Sequence, residues 1–114
     1  MESAMKNHLS GRVAWITGGG SGIGLAGALE LVKAGAHVVI SGRNAASNAS
    51  ALEQLQALGS AEAILLDVSD KNAVQNVSKH IVSAQGRIDI LVNSAGMNAT
   101  KRNLDVLTTA SWDE

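Results

Sequence analysis

The chain has 114 residues, 46% of them apolar and 17% charged, with a formal net charge of −1. This balance fits one globular domain with a modest core and excludes a disordered chain, while near-neutrality excludes a nucleic-acid or anionic-membrane surface driven by bulk electrostatics. Cysteine is absent, which removes disulfides, a thiol nucleophile and thiolate metal sites.

In chain order, "MESAMKNHLS" (1–10) reads as a tail without the apolar core of a secretion signal, and 11–114 reads as the domain. Apolar runs such as "VVI" and "AILL" are far too short to span a bilayer, so a soluble cytoplasmic protein is expected. "RVAWIT" (12–17), "HVVIS" (37–41), "EAILL" (62–66) and "IDILV" (88–92) read as strands, short, rich in branched aliphatics and bounded by turn residues. Helical patterns run from about Gly22 to Ala34, ending at Gly35, and from about Ala45 to Leu58, ending at Gly59, with Leu52, Leu55 and Leu58 on one face. A third opens near Ser69–Asp70, carries Val74, Val77 and Ile81, and ends at Gly86. A polar loop follows the fourth strand, and "TTASWDE" reads as a helix start capped by Thr109, with Asp113 and Glu114 in its first turn.

The β-α-β-α-β-α-β pattern predicts an α/β fold: a doubly wound, Rossmann-like parallel sheet, incomplete, with four strands in the order 3-2-1-4. With no proline, tyrosine or phenylalanine and only Trp15 and Trp112 as aromatics, the core must come from Val, Ile, Leu and Ala, which suits strands buried on both faces.

"TGGGSGIGLAG" (17–27) holds two overlapping glycine patterns. Because the first strand ends at Ile16–Thr17, Gly18 makes the strand-to-loop turn, and Gly22 lies too far along to do so. The register T-G-x-x-x-G-x-G through Gly18, Gly22 and Gly24 therefore fits. Glycine at 22 and 24 lets the backbone approach a pyrophosphate and the helix pack on the sheet, with helix-start N–H groups meeting the negative charge. Gly27 falls inside the helix and reads as a packing position. No Gly-Lys-Ser/Thr follows at P-loop spacing.

"TGGGSGIG", "LDVSD" and "LVNSAG", in this order and spacing, resemble the short-chain dehydrogenase/reductase family from about Gly11 to the last residue, which is the N-terminal half of a family member. The resemblance implies that Gly18, Gly20, Ser21 and Ile23 line the pyrophosphate and adenine ribose. It implies that Asp67 accepts from the adenine amino group, with Val68 contributing backbone. Asn93 would steady the central strand, while Ala95 and Gly96 lie along the nucleotide. The family usually has a second Asn where this chain has Ser94, and Gln85 replaces an apolar or aromatic residue.

Dinucleotide folds that prefer NAD usually place an acid at the end of the second strand, on the ribose 2′-hydroxyl. Here that end reads Ser41-Gly42-Arg43-Asn44. Arg43 would pair with a 2′-phosphate, with Ser41 and Asn44 adding hydrogen bonds, so NADP(H) is favoured over NAD(H).

Family chemistry moves a hydride between the nicotinamide and a small-molecule carbonyl or alcohol carbon, with a tyrosine handling the proton beside a lysine, and a serine orienting the substrate oxygen. This chain has no tyrosine, so no residue in it inherits a catalytic role. His8, His37 and His80 lack metal-ligand spacing, and the glycosylation-type triplets at Asn48, Asn76 and Asn98 read as accidents.

The leading expectation is the NADP(H)-binding portion of an oxidoreductase, truncated before its catalytic residues and inactive alone. The alternatives are a non-catalytic nucleotide-binding module and a structural remnant. Incompleteness is suggested by "IDILV", an apolar sheet edge with only Asp89 to blunt it. Family members assemble through later helices, so a homo-oligomer is expected only at full length.

Overall fold

The computed structural model describes residues 8–20 and 22–94, together with the backbone of the strand at 105–108. The helix expected from Thr109 and the expected site residues Ser21, Ala95 and Gly96 lie outside the described residues.

Strand β1 (Val13–Thr17) is buried along its whole length, as a central parallel strand covered on both faces must be. It leads to α1 (Gly22–Lys33), β2 (His37–Gly42), α2 (Ala45–Gln56), β3 (Ala61–Leu65), α3 (Lys71–Gln85) and β4 (Ile90–Asn93). β1 to β4 form a parallel sheet in the expected order 3-2-1-4. The two-residue period of the strands divides the core between the faces. Ala14, Ile16, Val38, Ile40 and Val92 meet Ala28 and Val32 of α1 and Ala51 and Leu55 of α2. On the other face Val13, Trp15, Val39 and Leu91 meet Val77 and Ile81 of α3.

Helix ends follow local chemistry. Asn44 and Asp70 cap α2 and α3, their side chains accepting from the Ser47 and Ala73 N–H groups at 2.9 and 3.0 Å. Gly35 and Gly86 take φ of +102° and +88°, the left-handed conformation that stops a helix at low cost.

Two expectations are corrected. α2 ends at Gln56, two residues before Leu58, and Leu58 is 47% exposed. The buried face of α2 is Asn48, Ala51 and Leu55 rather than the leucine stripe. A polar residue takes the inner phase because its amide finds partners there, and sequence periodicity counts apolar residues only.

The second correction concerns the edge of β4. Asp105–Thr108 lies not in a loop but in a strand, β5, antiparallel to β4 with Ile90 opposite Thr108 and Asn93 opposite Asp105. An open strand edge presents a row of N–H and C=O groups that seeks a partner, and a returning chain can satisfy it in antiparallel sense. Asp89 is turned inward instead of guarding that edge, its Oδ2 accepting from the Val13 N–H at 2.8 Å. Among the described residues no helix is long and apolar enough to cross a membrane.

Candidate functional site

The C-terminal ends of β1, β2 and β3 open into a cleft of about 720 Å³. In a parallel α/β sheet this is the end where loops diverge and ligands are held. Gly18 and Gly20 form one wall, Arg43 and Asn44 a second, and Asp67 and Val68 a third.

The glycine wall is fastened on both sides. Gly18 N–H donates to the Ser41 carbonyl at 2.6 Å, which ties the turn to β2. The Ser94 hydroxyl donates to the Thr17 carbonyl at 2.6 Å, and the Ser94 N–H donates there at 3.1 Å, which ties it to β4. Thr17 Oγ1 donates to Asn93 Oδ1 at 2.9 Å, joining β1 to β4 just below the turn.

Gly18 and Gly22 have φ of +74° and +59°, where a side chain is strained. A Cβ on Gly24 would strike the Gly18 carbonyl and stand 2.6 Å from the Ser94 hydroxyl. Gly22 and Gly24 open α1 beside the Gly18 turn, whereas Gly27 lies further along the helix. The first turn of α1 has no acidic side chain to occupy its positive end, which suits an anionic group there. Ile23, 42% exposed, follows Gly22 on that turn.

Ser41 is placed differently from the sequence reading. Its side chain is 1% exposed, and its hydroxyl accepts from the Trp15 indole N–H at 2.9 Å, inside the core. Strand alternation turns Ser41 away from the cleft, so what reaches the site is its carbonyl, holding Gly18. Arg43, by contrast, is exposed on the cleft wall. Asn44 also lines the cleft, with its side-chain oxygen engaged in the α2 cap.

Asp67 lies across from Arg43 and is solvated. The Ser69 N–H and hydroxyl both donate to its Oδ1, at 2.9 and 2.8 Å. These bonds, the backbone one foremost, hold the carboxyl below its ordinary range, with a smaller contribution from the Arg43 charge. An ionised acceptor is thereby kept at the mouth of the cleft.

The sequence reading missed Thr17, Ser94 and Asn48 as parts of this architecture. For Asn48 a signal existed: it shares helical phase with Ala51 and Leu55, so a buried amide was implied once those two faced the sheet. For Thr17 and Ser94 no local signal exists, because they are 77 positions apart in sequence and meet only across paired strands.

The comparisons with known proteins agree with this geometry. The family model for short chain dehydrogenases matches residues 12–114. Hydroxynaphthalene reductase arp2 of Aspergillus fumigatus is 42% identical over 95 residues, covering 82% of this chain and 35% of its own length. The solved complex of Pseudomonas aeruginosa RhlG with NADP is 39% identical, with a TM-score of 0.72, over 78% of this chain and 36% of that one. NAD+-bound xylitol dehydrogenase is 30% identical, with a TM-score of 0.71, over 73% of this chain and 32% of that one. The chain spans 35–41% of the length of the first curated relatives it matches, although one bacterial homologue is matched over 81% of its own length. With a family model over nearly the whole chain and the family's sheet order and glycine turn in place, this chain belongs to the short-chain dehydrogenase/reductase family.

Proposed function

We propose that the chain binds NADP(H) in the cleft at the strand ends and is the cofactor-binding portion of an oxidoreductase acting on a small-molecule carbonyl or alcohol. The observation that carries this reading is the cleft itself: a glycine wall fastened to two strands, with Arg43 on the second wall and Asp67 on the third. Gly18, Gly20, Gly22, Ile23 and Gly24 would receive the pyrophosphate and adenine ribose. Asp67 would accept from the adenine amino group beside Val68, and Asn93 steadies the strand along which the nucleotide lies. Ser21, Ala95 and Gly96 enter this set from the family resemblance alone. The bound dinucleotide would supply the hydride. With no tyrosine among the 114 residues, the chain by itself would bind without turnover.

The preference for the phosphorylated dinucleotide rests on Arg43. The end of β2 carries no acid to hold a ribose 2′-hydroxyl, and an exposed guanidinium there suits a 2′-phosphate. Solved relatives hold either dinucleotide, so the residue, and not the family, sets the expectation. In titrations followed by nicotinamide fluorescence, NADPH should bind about tenfold or more tightly than NADH, a difference of about 1.4 kcal/mol. Arg43→Ala should erase that difference and leave NADH binding unchanged. A preference that survives the substitution refutes the role given to Arg43.

The reading as a nucleotide-binding module without turnover has one observation in its favour, the pairing of β5 along β4, which covers the apolar edge. It requires a monodisperse chain that melts cooperatively and shifts upward with NADPH.

A further inference from the structure

Asn48 lies in the first turn of α2, only 6% exposed, at a helical phase that otherwise buries aliphatic side chains. A carboxamide is tolerated there only if its polar atoms find partners. Its Nδ2 donates to the Gly42 carbonyl at 3.1 Å and reaches the Ile64 carbonyl at 3.5 Å. Its Oδ1 stands 3.0 Å from where a Cβ on Gly20 would be, and 3.1 Å from one on Gly42. One side chain thus bonds the end of β2 immediately before Arg43, reaches the end of β3 ahead of Asp67, and fills the space a side chain at Gly20 would need.

We propose that Asn48 is a positioning residue that fixes the Gly42–Arg43 turn against the ends of β2 and β3 and thereby sets how strongly the cleft prefers a dinucleotide carrying a 2′-phosphate. The proposal rests on the dinucleotide reading above. Arg43 is exposed and long, so its contact with a phosphate depends on how much freedom its backbone must surrender on binding. The Gly42 carbonyl accepts from Asn48 on one side and from the Leu66 N–H at 2.9 Å on the other. That double anchoring orders the turn before any ligand arrives. A dinucleotide without the 2′-phosphate makes no demand on Arg43 and gains less from it. Loss of the clamp therefore weakens the two dinucleotides unequally, which a purely structural role would not do.

The test uses the full chain with Asn48→Leu, which keeps the branched shape without hydrogen bonds, and Asn48→Ala, which adds no clash against Gly20. NADPH and NADH are titrated into each protein and each is melted. The expected result is a cooperative melt in both variants, an NADPH Kd raised about tenfold, and an NADH Kd raised by no more than about threefold. Unchanged constants, or an equal loss for both dinucleotides, overturn the role of Asn48. So does the failure of both variants to melt cooperatively, since the residue would then serve stability alone. A wild-type chain that binds neither dinucleotide overturns the function reading and this inference with it, whereas a binding wild type with indifferent variants overturns only the latter.

Discussion

The indole N–H of Trp15 donates to the Ser41 hydroxyl at 2.9 Å, and this bond joins β1 to β2 within the core rather than in the cleft. Ser41→Ala removes a buried acceptor and should destabilise the fold by about 1 kcal/mol. The ratio of NADPH to NADH affinity should not move. Denaturant melts and paired titrations measure both quantities, and a changed ratio would return Ser41 to the ligand contacts.

Gly24 and Gly22 should differ in why they tolerate no side chain. Alanine at 24 is driven into the Gly18 carbonyl and the Ser94 hydroxyl, a clash that costs about 1–3 kcal/mol and displaces the turn. At Gly22 a Cβ meets open space, so Gly22→Ala carries only the strain of φ +59°, about 1–2 kcal/mol. Gly24→Ala should therefore abolish dinucleotide binding, while Gly22→Ala weakens it. Equal effects on binding at matched stability would show that the Gly24 contact is not what shapes the turn.

Asp89 closes the pole of the sheet opposite the cleft. Desolvation raises its pKa, but the Arg87 side chain at 2.7 Å, the Val13 N–H and the Arg12 charge together outweigh it, and the carboxyl sits below its ordinary range. A folded pKa below the unfolded one means stabilisation that is complete above the ordinary carboxylate range. It is lost as pH falls through the lowered folded value. Asp89→Asn should cost about 1–2 kcal/mol at neutral pH. Its penalty should shrink in acid, as melts across pH would show, and a pH-independent penalty would contradict the ion-pair account.

Ser69 holds Asp67 ionised through two donors, and alanine removes the hydroxyl while leaving the N–H. In Ser69→Ala the Asp67 pKa should rise toward its ordinary value without reaching it, because the Ser69 N–H remains. A carboxyl-detected NMR titration reads this directly.

Much of the fold was legible because its causes are local. Strands announced themselves as short branched-aliphatic runs, and Gly35 and Gly86 marked helix ends that only a left-handed residue closes cheaply. The reading of α2 failed at Leu58 because amphipathic periodicity has no means of registering a buried polar residue such as Asn48. Ser41 was misassigned for a related reason. Its neighbours in sequence suggested a ligand contact, whereas the pleat aims it at Trp15, 26 positions away.

By itself the sequence determined the family and the order of the parallel strands, since these depend on the spacing of short segments and on right-handed crossovers. Tertiary structure alone decided which polar side chains face the cleft and which hold it together. Ser94 reaches Thr17, Trp15 reaches Ser41, and β5 closes on β4 only once the sheet exists. Hydrogen bonds between strands distant in sequence are set by register and pleat, and neither is written in local composition.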